Sequence, residues 1–187
     1  MMPKPDVSEE RTNQILEAAL KVFADRGLHQ ARMKDIGNEA GLSKGTLYLY
    51  FKSKDALIAK LLEHLIGYEL GSIAALRDAS EPAEVRLMRL MDAMIADLER
   101  MRPLMPIMYE FFAMGMRREA IRQVLRAYLR QFFEIATPII QQGIDQGAFR
   151  PVDAQEAAIS VGALFEGTLL LAAYDPETIQ PERHIRA

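Results

Sequence analysis

Cysteine is absent from the 187 residues, which excludes a disulfide framework, a thiolate nucleophile and a cysteine-based zinc cluster. Tryptophan is absent too, and histidine is confined to the scattered positions His29, His64 and His184. There is no P-loop, no H-E-x-x-H, no G-x-S-x-G and no Glu-x-x-His pair of the kind that holds two metals in a helical bundle. No catalytic residue, metal ligand or cofactor is therefore expected, and an enzyme is the weaker class. Long hydrophobic runs are also scarce. Gly167 to Tyr174 is far shorter than the roughly 20 apolar residues that cross a bilayer, so membrane spanning is not expected. The start, MMPKPDVSEE, lacks the apolar stretch of a signal peptide, and a cytoplasmic location is the expectation.

Half of the residues are hydrophobic, enough for a sizeable core in one or two domains. The net charge of −3 hides an asymmetry. Residues 1 to 54 carry nine Lys and Arg against seven Asp and Glu, and the remainder carries fourteen against nineteen. Between Arg26 and Lys54 the count is six against two. A local basic footprint suffices for phosphate contacts, and an acidic remainder limits indiscriminate coating of nucleic acid.

Apolar residues recur at spacings of three and four with few alternating β-branched runs, so eight or nine helices and an all-α chain are expected. The first runs from about Ser8 to Arg26 with Ile15, Ala19, Val22 and Phe23 on one face, closed by Gly27. A long fourth helix begins at Lys54 and carries Leu57, Leu61, Leu65 and Leu76, with Gly67 and Gly71 as soft points. DASEP, residues 78 to 82, reads as a turn, with Pro82 in the first turn of a fifth helix that ends before Pro103. A short sixth helix runs from Pro103 to about Met114. A seventh spans about Arg117 to Gln146, where Pro138 is expected to impose a kink. GAFRPVD, residues 147 to 153, separates it from a last strong helix, Ala154 to Tyr174, and the tail after Asp175 is expected to fray.

The run MKDIGNEAGLSKGTLYLYFKSKDAL, Met33 to Leu57, carries the chemistry. Ile36 and Ala40 give a short helix a small apolar face, Gly41 ends that helix where positive φ is wanted, and Leu42 places an apolar residue just past it. Ser43 follows as an N-cap, and Leu47 and Phe51, four apart, face inward. Lys44, Thr46 and Tyr48 are left outward, the hydroxyls and cations that a major-groove reader needs for base edges and phosphates. Ser53 caps a further helix whose free amides, with Lys54, suit a phosphate. The bland alternative is a helical hairpin in which Tyr48 and Tyr50 cover core and the lysines form a solvated face.

AGLSKGTLYLYFKSKDAL resembles the signature of the TetR family of bacterial transcriptional regulators (TetR/AcrR type), and ILEAALKVFADRG, Ile15 to Gly27, is similar to the family's first helix. The motif likeness covers about residues 11 to 65. It implies an N-terminal three-helix helix-turn-helix DNA-binding domain, residues 1–54, and a C-terminal helical effector-binding and dimerisation domain, residues 55–187. It also implies a homodimer reading an operator in double-stranded DNA with recognition helices over Ser43 to Tyr50; the candidate DNA-binding residues are Ser43, Lys44, Gly45, Thr46, Tyr48, Leu49, Tyr50 and Lys54, with Arg32 as a further candidate phosphate contact. The expected function is a ligand-responsive repressor released from a palindromic operator by a small, largely apolar effector. Two departures weaken one helix. Ala31 and Arg32 stand where the family usually offers a Ser or Thr cap, and Gly37 stands for alanine, a change costing about 1 kcal/mol in a helix interior.

Eight of the eleven methionines lie between Met88 and Met116, close to Tyr109, Phe111 and Phe112. Flexible, polarizable side chains suit an adaptable apolar pocket, although methionine at helical spacing also fills ordinary core. Candidate effector residues are Met91, Met94, Met105, Met108, Tyr109, Phe112, Phe165 and Glu166. Glu110, Glu134 and Glu166 sit inside apolar runs, where a carboxylate must be paired or protonated. Each either pairs with an arginine between Arg117 and Arg130 or anchors an effector's amine or hydroxyl. Dimerisation is expected through residues about 117–174, on faces that include Tyr128, Leu129, Phe132, Ile135, Ile139, Ile159, Val161, Leu164 and Leu169, with Gly162, Ala163 and Gly167 permitting close approach. A helical carrier of apolar molecules would account for the methionines but not for Ser43 to Lys54.

Overall fold

The computed structural model describes residues 7–76 and 80–185, and among them there is helix and no strand. The elements are α1 (Val7–Gln30), α2 (Met33–Glu39), α3 (Lys44–Tyr50), α4 (Lys54–Ala74), α5 (Ala83–Met101), a 3-10 turn (Arg102–Leu104), α6 (Met105–Gly115), α7 (Glu119–Asp145), α8 (Ala154–Tyr174) and α9 (Pro181–His184). They form two compact units: Met1–Ile66 with Leu104–Arg126, and Gly67–Pro103 with Ala127–Ala187. This grouping cuts across the division expected at Lys54, because α6 and the start of α7 pack with the N-terminal helices.

In the first unit Ile15, Ala19, Val22 and Phe23 bury one face of α1 as their spacing predicts. Gly27 breaks that helix at φ 73° and ψ 161°, and Leu28 to Gln30 add one further turn. Ile36 of α2 and its C-cap Ala40, Leu47 of α3 and the following Phe51 are buried. The buried stripe of α4 in this unit is Leu57, Ile58, Leu61, Leu62, Leu65 and Ile66. Ile107, Met108 and Phe111 of α6 and Ile121 and Val124 of α7 are likewise buried.

Helix α4 passes into the second unit at Gly67. A Cβ at Gly67 or Gly71 would meet nothing within 4 Å, so neither glycine is demanded by packing. Pro82 lies just before α5, its carbonyl accepting the Arg86 amide at 3.0 Å; it is a cap and not, as expected, a first-turn residue. Helix α7 continues through Pro138. After it, the Phe149 ring lies against Gly143, where a Cβ would collide with the ring. The Asp153 carboxylate caps α8 by accepting the Glu156 amide at 2.9 Å. The tail expected to fray instead forms α9, started by the buried Pro181.

The apolar faces assigned to dimerisation divide in two. Tyr128, Phe132, Ile135 and Ile139 are buried within the chain, Val161 and Leu169 are half-buried, and Leu129, Ile159 and Leu164 are exposed, as are the neighbouring Leu170, Leu171 and Tyr174, Leu164 by 72% and Tyr174 by 82%. Helix α8 is long and apolar enough, at a mean hydropathy of 1.6, to cross a membrane by length and composition. The short run Gly167 to Tyr174 understated that length, because Glu166 interrupts the apolar sequence without ending the helix.

Candidate nucleic-acid interface and effector cavity

Helices α2 and α3 are joined by Gly41 at φ 65°, with the Leu42 amide donating to the Gly37 carbonyl at 2.8 Å. Gly37 lies against this turn: a Cβ there would be 3.3 Å from the Leu42 carbonyl oxygen. Ser43 Oγ accepts the Thr46 amide at 3.1 Å and lies 2.9 Å from the Thr46 hydroxyl. One serine thus satisfies an otherwise orphaned amide at the start of α3 and steers the neighbouring hydroxyl. Leu47 anchors the helix inward while Lys44, Gly45 and Leu49 are exposed and Thr46, Tyr48 and Tyr50 are partly so. Lys44 Nζ lies over the Tyr48 ring, 5.9 Å from its centroid, a cation–π arrangement that holds the ammonium on the outer surface. Leu49 is 73% exposed.

Arg32 occupies the N-cap of α2, in extended backbone. The missing Ser or Thr cap is compensated from the other side: Asp35 Oδ2 accepts the Arg32 amide at 3.1 Å and also lies 3.1 Å from Arg26. This is the second half of a capping box, which needs an acid three residues on. It leaves the Arg32 side chain exposed.

Lys54 departs from its expected role. Its ammonium donates to the carbonyls of Leu28, His29 and Ala31 at 2.7, 3.1 and 2.9 Å. Three donors meet three acceptors, which exhausts the hydrogen-bonding capacity of a lysine. Partial burial pushes its ammonium below the ordinary lysine value, with Asp55 opposing the shift. Lys54 therefore fixes the turn at the end of α1 and is not a free phosphate ligand. At the start of α4 Ser53 Oγ accepts the Ala56 amide at 3.1 Å, as its position predicts.

In the second unit a cavity of about 240 Å³ is lined by Met94 of α5, by Tyr128, Leu129, Phe132 and Phe133 of α7 and by Ile159, Gly162, Ala163, Phe165 and Glu166 of α8. Three of the eight candidate effector residues, Met94, Phe165 and Glu166, meet here. Met91 is on α5 but outside this lining, and Met105, Met108, Tyr109 and Phe112 belong to α6 in the other unit. Tyr128, Leu129, Phe132 and Ile159, expected at a dimer face, also line this cavity. Phe132 and Phe133 pack edge to face at 5.6 Å, and Gly162 lets the Phe132 ring approach, since a Cβ would stand 3.3 Å from it. Burial in these apolar surroundings raises the Glu166 carboxyl above its ordinary value.

Of the other two embedded acids, Glu110 pairs with backbone and not with an arginine, accepting the Leu28 amide at 2.7 Å. Glu134 is exposed.

The profile of bacterial regulatory proteins of the tetR family matches residues 15–61, and that of the BetI-type transcriptional repressor C-terminal region matches residues 83–187. The chain belongs to the TetR family. The HTH-type transcriptional regulator YfiR of Bacillus subtilis (strain 168) is 32% identical over 160 residues, 81% of this chain and 75% of that protein. The HTH-type transcriptional regulator BetI of Burkholderia thailandensis is 25% identical over 92% of this chain and 86% of its own length. Among solved structures, a transcriptional regulator from Pseudomonas aeruginosa PAO1 superposes with a TM-score of 0.85 at 26% identity, covering 97% of this chain and 88% of that one. The protein is accordingly a DNA-binding transcriptional regulator of TetR type.

For this TetR-family chain, sequence reasoning missed Asp35, whose signal was present as an acid three residues after Arg32. It also missed Tyr128, Phe132 and Phe133 as cavity lining, although Tyr128 and Phe132 stand four apart on one helix. The partner of Glu110, 82 residues away, left no local signal.

Proposed function

We propose that this regulator acts as a homodimeric repressor of a near-palindromic operator, released when an apolar effector with a basic group enters the cavity between α5, α7 and α8. The observation that carries the DNA part is the outer face of α3, where capped and anchored backbone presents Lys44, Gly45, Thr46, Tyr48, Leu49 and Tyr50, with the exposed Arg32 at the start of α2. Short hydroxyls and an apolar tip suit base edges and thymine methyls, and the cations suit phosphates. The α8 face formed by Leu164, Leu171 and Tyr174 is the surface a second copy would cover, an isologous interface of four helices. Two α3 helices then address half-sites about one helical turn, roughly 34–36 Å, apart.

Effector binding favours the arrangement in which the two motifs no longer match that spacing, and the operator is released to the extent of the difference in effector affinity between the two states. Helix α4, which starts at the DNA-reading unit and continues beyond Gly67, is the element that would carry the displacement. The effector's basic group is inferred from Glu166, the acidic residue in an otherwise apolar and aromatic lining. The proposed setting is the bacterial cytoplasm.

The test is fluorescence anisotropy with a labelled duplex from upstream of the protein's own gene against scrambled duplex, at two salt concentrations, with sedimentation equilibrium on the same sample. Preferential, salt-weakened binding by one or two dimers is expected; absence of binding at low salt would overturn the operator reading, and a monomer at micromolar concentration would overturn the dimer. An aralkyl amine is expected to release the duplex where the isosteric alcohol does not. Equal potency of the two would remove Glu166 as anchor.

A further inference from the structure

We propose that Glu110 is a positioning residue for DNA recognition: its carboxylate latches α6 to the turn from which the DNA-reading helices depart. Residues 28 to 31, the last turn of α1 beyond the Gly27 break and the residue that follows it, lead into α2, and their backbone is held from two sides. The Leu28 amide donates to Glu110 Oε2 at 2.7 Å. The carbonyls of Leu28, His29 and Ala31 accept from Lys54. One residue, Leu28, thus has its N–H directed to α6 and its C=O directed to α4, with its side chain only 2% exposed. Arg32, the N-cap of α2, follows immediately, so the direction in which α2 and α3 leave is set by this turn.

Gly27 makes the latch possible in two ways. Its φ of 73° is a conformation that L side chains rarely adopt, and a Cβ there would lie 3.1 Å from Glu110 Oε1. Glycine therefore clears the approach of the carboxylate and supplies the bend that turns the Leu28 amide outward. The carboxylate is also the acceptor best suited to a partly buried amide, because hydrogen bonds to an ionised group are stronger than neutral ones. The region just beyond α6 makes a second link to α4, the ion pair of Arg118 with Asp55. Both of its side chains are substantially exposed, and such pairs hold geometry weakly.

The consequence is a contact that is stiff in one position and absent in another. A movement of α6 away from the turn by about 1 Å takes the 2.7 Å bond beyond hydrogen-bonding distance. The turn then keeps only its Lys54 side, and the docking angle of α2 and α3 is no longer defined from α6. The latch concerns how the reading helices are held and is independent of the effector's chemistry.

The experiment uses the full chain with Glu110→Ala and Glu110→Gln, the second of which keeps a side-chain oxygen that can accept the Leu28 amide. Upstream-duplex affinity, its salt dependence and amide hydrogen exchange are read on each. Glu110→Ala is expected to weaken duplex binding about tenfold, the size of a lost charge-assisted hydrogen bond. Glu110→Gln should recover most of that loss. The salt slope should be unchanged, because no phosphate contact is removed. Exchange should accelerate at residues 28–31 and not in α4 or α7. Wild-type affinity in Glu110→Ala would overturn the latch while leaving the regulator intact. So would equal losses in the two variants, or, in Glu110→Ala, exchange that is unchanged at residues 28–31 or that rises throughout the chain.

Discussion

The buried guanidinium of Arg86 donates to the side-chain oxygen of Gln142 across 2.5 Å, joining α5 to α7, while its other end donates to the Leu76 carbonyl at 2.6 Å. Gln142 in turn donates to the Glu81 carbonyl at 3.2 Å. Gln142→Leu removes two bonds and leaves buried polar atoms behind, so a loss of about 2 kcal/mol in unfolding free energy is expected. Urea denaturation measures it, and a change below about 0.5 kcal/mol, the range of neutral surface substitutions, would assign the network no weight.

Ser43 has two roles that separate chemically. Ser43→Ala should cost about 1 kcal/mol of stability through the lost cap. Ser43→Asp retains a capping oxygen and the favourable helix-dipole interaction, so its thermal stability should stay close to wild type while its negative charge weakens duplex binding. Thermal melts and anisotropy on the two variants decide it. If the aspartate variant binds duplex as wild type does, Ser43 does not face the phosphates.

The lysines of the first unit should differ in what they do to salt dependence. Lys44→Ala and Arg32→Ala should each lower the slope of log affinity against log salt by about 0.9 for each phosphate contact removed. Lys54→Met should weaken binding with the slope unchanged, because its ammonium is occupied by three carbonyls. A slope that falls with Lys54→Met would restore the phosphate role first expected for it.

Much of this unit is legible in sequence because its determinants are local. The Gly41 turn, the Ser43 and Ser53 caps and the inward Leu47 and Phe51 are each fixed by residues within four positions of one another. The limits Ala154 and Tyr174 of α8 also follow from nearby signals, an Asp153 cap and the break after Tyr174. Lys54, Glu110 and the cavity lining are different. Periodicity says which helix face is apolar but not whether another helix, a second chain or a ligand covers it. That is why Tyr128 and Phe132 read as dimer face and are buried at 8% and 4% exposure. Embedded acids have the same ambiguity: Glu110 and Glu166 look alike in sequence, yet one meets a backbone amide and the other an apolar cavity.

Glu166→Gln should change stability with pH in a defined direction. The folded-state carboxyl titrates above its ordinary value because burial disfavours the charge, against about 4.3 for a free glutamate. Below that value both states are protonated and the substitution is neutral. As pH rises the unfolded chain ionises first, so the wild type loses stability until the folded-state value is passed. The variant should melt a few degrees higher than wild type near neutral pH and match it at about pH 4. An equal melting difference at both pH values would show that the carboxylate carries no desolvation penalty.

At Gly67 and Gly71 of α4 a Cβ would touch nothing within 4 Å. Each lowers the helix's intrinsic preference by about 1 kcal/mol relative to alanine, and neither recovers that loss through packing. Stiffness is therefore distributed unevenly along a rod that is otherwise uniform. If α4 carries the proposed displacement, a push applied at one end would arrive at the other attenuated by the compliance of this segment, and two small residues outside the α3 face and the cavity lining would tune the response.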